Sequence, residues 1–133
     1  MNIPLEIKVV QKFFRKEKQE RYAGFITSGK NRRKFLKELA HLKDLNWEMF
    51  EEVNSFNETY ISPVNKGKNQ VGQSCYVISE DPSLDQTTIA INQVTRITGT
   101  GYAMIIVFGE ADRVYYEGEP PYNRYLSITS PAI

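Results

Sequence analysis

The sequence predicts an α+β fold, in which N-terminal helices pack on one face of a roughly four-stranded, mainly antiparallel sheet formed by the C-terminal half. Apolar residues at helical spacing are concentrated in the first third of the chain. The last third instead contains runs rich in aromatic and β-branched residues, separated by short polar, glycine or proline breaks. Because the two patterns are segregated and do not alternate along the chain, they favour α+β over α/β architecture.

Helical spacing predicts two main helices before residue 45. The first covers residues 4–26, where apolar side chains recur three or four positions apart. The second covers residues 31–44; it begins at Asn31, a residue type that caps helix N-termini well, and carries one apolar stripe. A third, short helix is predicted over Trp47–Val53, with its glutamates facing outward.

Four segments are predicted to form the sheet. Cys75–Ser79 is a short strand, and Tyr102–Phe108 is apolar on both faces, which is typical of a buried central strand. Residues 113–119 and 124–128 alternate more and should face water on one side. Residues 89–98 favour a helix, but their β-branched content leaves a strand as the alternative.

The length of 133 residues favours a single domain over 1–133. We divide it into a helical, basic part at about 4–54, a loop at about 55–73 and a sheet part at about 74–129. The loop region has no periodicity and is rich in turn residues, so we expect it to be the least ordered region.

Composition indicates a cytoplasmic protein with no membrane partner. A single cysteine excludes an internal disulfide framework and a cysteine-based zinc site. No signal peptide is recognisable at the start, and the longest apolar run, Ala103–Phe108, is far shorter than the ~20 residues of a membrane helix. No cofactor is predicted.

The net charge of +1 conceals a strong asymmetry between the two parts of the chain. Residues 1–43 carry twelve Lys or Arg and four Glu, giving +8, whereas residues 44–133 carry five Lys or Arg and twelve acids, giving −7. Three interpretations remain open at this level. The two parts neutralise each other, the basic part is a surface for nucleic acid or an acidic partner, or the asymmetry has no role.

The cations are densest at the start of the predicted helix 31–44. Like charges at this spacing repel each other, and cations are unfavourable at the positive end of the helix dipole. An anionic partner would offset that cost, so these residues are candidate partner- or anion-binding residues. The set is Lys30, Arg32, Arg33, Lys34 and Lys37.

Three tyrosines of the last third are candidates for an exposed aromatic patch of the kind found in protein interfaces. They are Tyr115, Tyr122 and Tyr125. Ordinary packing between neighbouring strands is the competing interpretation.

No catalytic or metal-ligating residue is assigned. His41 with Asp44 three residues later is a conceivable acid–base pair, but a histidine at a helix C-terminus needs no such role. Cys75 lacks a local feature that would lower its pKa. The acids at 80, 81 and 85 do not match a calcium loop, and one histidine is not a coordination set.

Four short motifs are similar to those of a set of small uncharacterised bacterial proteins with helices first and a sheet afterwards. The motifs are Glu20-Arg21-Tyr22, Arg32-Arg33-Lys34-Phe35-Leu36, Cys75-Tyr76-Val77-Ile78-Ser79 and Tyr115-Tyr116-Glu117-Gly118-Glu119. The resemblance covers most of the chain and implies a bacterial cytosolic protein. It implies no activity.

Together these observations favour a non-catalytic protein-binding module that recognises its partner by charge and an aromatic patch. An immunity-type protein, which neutralises another protein by covering its active site, is an example. The alternative is a nucleic-acid binder that uses the basic helix 30–37, and a distant alternative is a small enzyme that uses His41 or Cys75. The oligomeric state is not predicted.

Overall fold

The computed structural model describes residues 1–54, 74–119 and 124–128, and the predicted α+β class is confirmed there. These ranges contain four α-helices and one six-stranded antiparallel sheet. The helices are α1 Ile3–Phe13, α2 Gln19–Thr27, α3 Arg32–Leu39 and α4 Val94–Ile97. The strands are β1 Phe50–Glu52, β2 Ser74–Ser79, β3 Thr87–Ala90, β4 Met104–Phe108, β5 Arg113–Glu117 and β6 Arg124–Ser127.

The strand order across the sheet is β1-β6-β5-β4-β2-β3. The meander β4-β5-β6 is built as predicted, and β2 lies beside the central β4. The prediction of about four strands is too low, because the two edge strands β1 and β3 are short and carry few apolar residues. Two of the three residues of β1 are exposed glutamates, so this strand has no recognisable period in the sequence.

The predicted helix over 4–26 is wrong as one element, since α1 and α2 are separated by an extended break at Phe14. Tertiary backbone bonds satisfy the groups that the break releases. The Arg15 N–H donates to the Asp44 carbonyl at 2.7 Å, and the Asn46 N–H donates to the Phe13 carbonyl at 2.8 Å. Apolar spacing continues through the break, so nothing local reveals it.

Two further segments, 47–53 and 89–98, differ from their predictions where they pair with the sheet. The predicted helix over Trp47–Val53 is wrong: it is a single 3₁₀ turn, Trp47–Met49, followed by β1, which pairs with β6. Residues 89–98 begin inside β3 and end in α4, so both interpretations apply to part of the segment. The helix predicted at 31–44 is shorter, ending with α3 at Leu39.

Both faces of the sheet are buried along β5, which corrects the prediction that this strand faces water on one side. Helices α1–α3 cover the face that carries Val114 and Tyr116. The opposite face, which carries Tyr115, packs against Val94 of α4. All five residues of β5 are therefore buried. None of the helices in the described ranges is long and apolar enough to cross a membrane.

Candidate functional site

Helix α3 presents its cations to solvent because its apolar stripe faces the core. Phe35 and Leu39 are buried beneath α3, so the residues on the opposite side point outward. We call the resulting surface the basic ridge; it consists of Lys30, Arg33, Lys34 and Lys37, and all four are exposed. The ion pairs found among the described residues involve other cations.

The charges of the basic ridge are unfavourable for the helix that carries them. Arg33 and Lys37 are four residues apart on α3, and such a like-charge pair costs about 0.2–0.5 kcal/mol. The first turn of α3 contains no acidic residue that would complement the positive end of the helix dipole. An anion placed near the first turn of α3 would therefore relieve this unfavourable arrangement.

Arg32 is not part of this surface, which corrects its prediction as a partner-contacting cation. Its guanidinium is held between two carboxylates and its side chain is only 15% exposed. Towards Glu6 the Nη1–Oε1 and Nη2–Oε2 distances are 2.6 and 3.0 Å. Towards Asp85 the Nε–Oδ2 and Nη2–Oδ1 distances are both 2.9 Å.

Further hydrogen bonds hold the two carboxylates in place. The Tyr76 hydroxyl donates to Glu6 Oε2 at 2.5 Å, and the Ser79 N–H donates to Asp85 Oδ1 at 3.1 Å. Burial alone lowers the pKa of the Arg32 guanidinium, but its hydrogen bonds to Asp85 and Glu6 outweigh burial and raise that pKa. This Arg32 network ties α3 to α1 and to the sheet, and so orients the ridge outward.

A groove of about 550 Å³ runs along one side of the ridge; we call it the α3 groove. Arg33, Leu36 and Lys37 line it from the helix, and Pro82 and Glu80 line it from the turn after β2. The groove thus combines the apolar side chains of Leu36 and Pro82 with cations on the helix side and with the acidic Glu80 and Asp85 on the other side.

A second cleft, of about 360 Å³, lies at the C-terminal end of the ridge and also includes Lys37. In it the Tyr22 hydroxyl lies 2.9 Å from Glu38 Oε1 and 2.6 Å from Asp44 Oδ2. Burial and these two carboxylates raise the pKa of Tyr22. His41 lines the same cleft and is exposed to solvent.

Cys75 does not line this second cleft. Its thiol is buried, and the Sγ lies 3.6 Å from the Ile89 carbonyl oxygen. Burial raises the pKa of Cys75 to about 12, so the thiol is protonated at neutral pH. Among the described residues, the two candidate catalytic side chains line different cavities, His41 the second cleft and Cys75 another one.

The acids near the turn after β2 are engaged locally. Glu80 accepts a hydrogen bond from the Ala103 N–H at 3.0 Å, and burial followed by the nearby Glu119 raises its pKa. Asp81 accepts from the Ser83 N–H at 3.0 Å. The described residues contain no group of three or more side chains arranged to hold a metal ion.

The three candidate tyrosines have different positions. Tyr115 is 0% exposed and its hydroxyl donates to Glu117 at 2.7 Å, so its prediction as part of an exposed patch is wrong. Tyr122 lies outside the described residues. Tyr125 is half-buried, and its ring centroid is 4.8 Å from that of Trp47.

Trp47, which packs beside Tyr125, is an exposed aromatic residue that the sequence interpretation missed. Its side chain is 38% exposed, and its indole Nε1–H donates to the Lys43 carbonyl at 3.2 Å. Lys43 in turn lines the second cleft beside Lys37. The Trp47–Tyr125 pair therefore lies next to the C-terminal end of the cationic surface. The chain has only this one tryptophan. The nearby Glu48, Glu51 and Glu52 are exposed, and these polar neighbours were the sequence signal that Trp47 lies near solvent.

Comparison of the chain with protein-family models, with curated proteins and with solved structures finds no match.

Proposed function

We propose that this chain is a non-catalytic binding module that recognises an acidic surface of another protein through the basic ridge. The observation that carries the proposal is the clustering of four exposed cations on and just before α3, with no ion pair to any of them within the described residues. Opposite charge on a partner would accelerate encounter and select the partner.

The Trp47–Tyr125 pair supports a protein partner. Half-exposed aromatic side chains bury a large area at low cost in conformational entropy, and they are enriched in protein interfaces. The pair joins the cationic surface through Lys43, so one partner can contact both. A bacterial partner agrees with the resemblance in sequence, and covering a partner's active site is one role that such a module can perform.

Nucleic acid is the second candidate, because phosphates would also satisfy the ridge. Against it, Phe35 is the aromatic residue of α3 and it is buried, so α3 offers no ring on which a base can stack. The ridge itself would then contact only phosphates, a mode that is strongly salt-dependent and indifferent to sequence.

A capture experiment with a charge-matched control tests the proposal. The triple variant Arg33→Gln, Lys34→Gln, Lys37→Gln removes three ridge charges. The control variant Lys16→Gln, Lys18→Gln, Arg96→Gln removes three charges elsewhere from cations that have no ion pair among the described residues. Each immobilised protein is incubated with a bacterial lysate at low and at high salt, and bound proteins are quantified.

We expect the wild type and the control variant to retain a stoichiometric acidic protein at low salt, and the ridge variant to lose it. Retention by the ridge variant would contradict the proposal. A gel-shift titration with duplex and single-stranded DNA runs in parallel. A saturable shift that the ridge variant loses, without any captured protein, would favour the nucleic-acid candidate instead.

A further inference from the structure

The α3 groove lies beside the ridge, and unlike the ridge it contains apolar side chains. Leu36 is half-buried and packs against the core, while Pro82 is exposed on the opposite wall. Gly29 also lines the groove, and a Cβ added there would have no atom within 4 Å. The space is thus large enough for an apolar side chain that comes from outside the molecule.

The charges around the groove are distributed unevenly. Arg33 and Lys37 line the helix side, with no ion pair among the described residues. On the opposite side, Arg32 is shared between Asp85 and Glu6, so these three side chains keep a formal charge of −1. Glu80 on the same side accepts a hydrogen bond from the Ala103 N–H. An acidic segment is therefore attracted along the helix side and repelled from the wall that carries Glu80.

From this arrangement we infer that the partner segment is acidic and inserts one apolar side chain into the α3 groove, between Leu36 and Pro82. The inference rests on the proposed function and specifies the chemistry of the partner. The ridge cations would attract the carboxylates that flank the apolar residue, and the groove would supply the selectivity among acidic segments. Charge steers association, whereas a desolvated apolar anchor in a pocket carries much of the affinity in protein interfaces.

Two synthetic peptides probe this inference directly. One has a leucine flanked on both sides by glutamates, and the other has alanine in place of that leucine. Their binding to the protein is followed by fluorescence anisotropy at low salt. We expect the leucine peptide to bind about 5-fold more tightly, because a partly enclosed leucine gains only a fraction of the free energy of full burial.

A groove-filling variant and a matched control locate the effect. Gly29→Phe places a large side chain in the groove, and no positive φ opposes the substitution. Gly24→Phe makes the same change on α2, where an added Cβ also has no atom within 4 Å. We expect Gly29→Phe to abolish the preference for leucine and Gly24→Phe to preserve it.

Three outcomes separate this inference from the proposed function. Equal binding of the two peptides to the wild type, with loss of both on the ridge triple variant, overturns the groove inference and leaves the ridge proposal intact. A leucine preference that survives Gly29→Phe also overturns the groove inference. Peptide binding that does not differ between the wild type and the ridge triple variant overturns the proposed function, together with the inference that depends on it.

Discussion

Arg32 and Arg33 are adjacent in the sequence and have opposite roles in the structure. Arg32 points inward, where two carboxylates bind its guanidinium. Arg33 is exposed and makes no ion pair with the described residues. Successive helical residues are rotated by about 100°, so a run of cations is divided between faces by the phase of the helix. A run of basic residues can therefore contain both cations that stabilise the fold and cations that remain open to a partner.

The largest expected effect comes from removing the structural cation. Arg32→Leu should lower the free energy of unfolding by about 3–5 kcal/mol, because it leaves Glu6 and Asp85 without their partner in a buried site. Chemical denaturation followed by circular dichroism measures the change.

Arg33→Leu is the matched control for that prediction, and it should alter stability by less than about 0.5 kcal/mol. Adding Glu6→Gln to Arg32→Leu should recover part of the loss, because the buried charge is removed as well. Equal effects of the two arginine substitutions would contradict the distinction between them.

The pH dependence of stability tests the same distinction between buried and exposed side chains for the tyrosines. Burial raises the pKa of Tyr116 to about 12, whereas an unfolded tyrosine has a pKa of about 10. Its contribution to stability is complete below pH ~10 and is lost as the pH rises through the folded pKa, because the unfolded chain releases the proton first. We expect a loss of roughly 2–3 kcal/mol from this residue.

Unfolding curves recorded at increasing pH, with tyrosinate absorbance as a second signal, measure that loss. Tyr116→Phe should weaken the pH dependence, to which Tyr22, Tyr76 and Tyr115 also contribute because their pKa values are raised as well. Tyr102→Phe, at a tyrosine that is 45% exposed, is the matched control. A stability that stays constant through pH ~12 would refute the assignment of a raised pKa to Tyr116.

A smaller effect is expected within the Arg32 network itself. Tyr76→Phe removes the hydroxyl that donates to Glu6 and should cost about 1.5–3 kcal/mol, the usual range for a hydrogen bond to a charged group. Thermal unfolding compares it with Tyr102→Phe, whose hydroxyl is on an exposed residue. If both substitutions had the same effect, the bond to Glu6 would contribute nothing measurable.

The smallest effect, with the opposite sign, is expected on the ridge. Lys34→Glu should stabilise the fold by about 0.3–1 kcal/mol, since it places an anion in the first turn of α3. The same variant should bind the acidic peptides more weakly. Arg96→Glu makes the same charge change in the last turn of α4 and should not stabilise. A destabilised Lys34→Glu variant would mean that Lys34 has a structural partner.

The class of the fold and the location of the cations could be predicted because both depend on local patterns. Segregated periodicities placed the helices before the sheet, and the meander followed from runs of β-branched and aromatic residues. The ridge residues at 33, 34 and 37 also follow from position on a helix, since the apolar stripe of α3 occupies the other side. Lys30 lies in the turn just before α3.

The predictions that were wrong concern features that depend on partners distant in the sequence. The break at Phe14 is stabilised by bonds to residues 44 and 46, and β1 exists because β6 pairs with it. The burial of Tyr115 has the same origin, because a second layer that includes α4 covers its face of the sheet. None of these partners can be recognised from the pattern of neighbouring residues in the sequence.

By itself, the sequence determined the α+β class, the charge asymmetry and the identity of the cationic helix, since these follow from composition and periodicity. Only the tertiary structure decided which cations are available, because the carboxylates that bind Arg32 are 26 and 53 residues away from it. It also decided that Trp47 is exposed beside Tyr125 and that a groove lies beside the ridge. Both features are formed by residues from separate segments of the chain. Those residues come together only once the chain has packed.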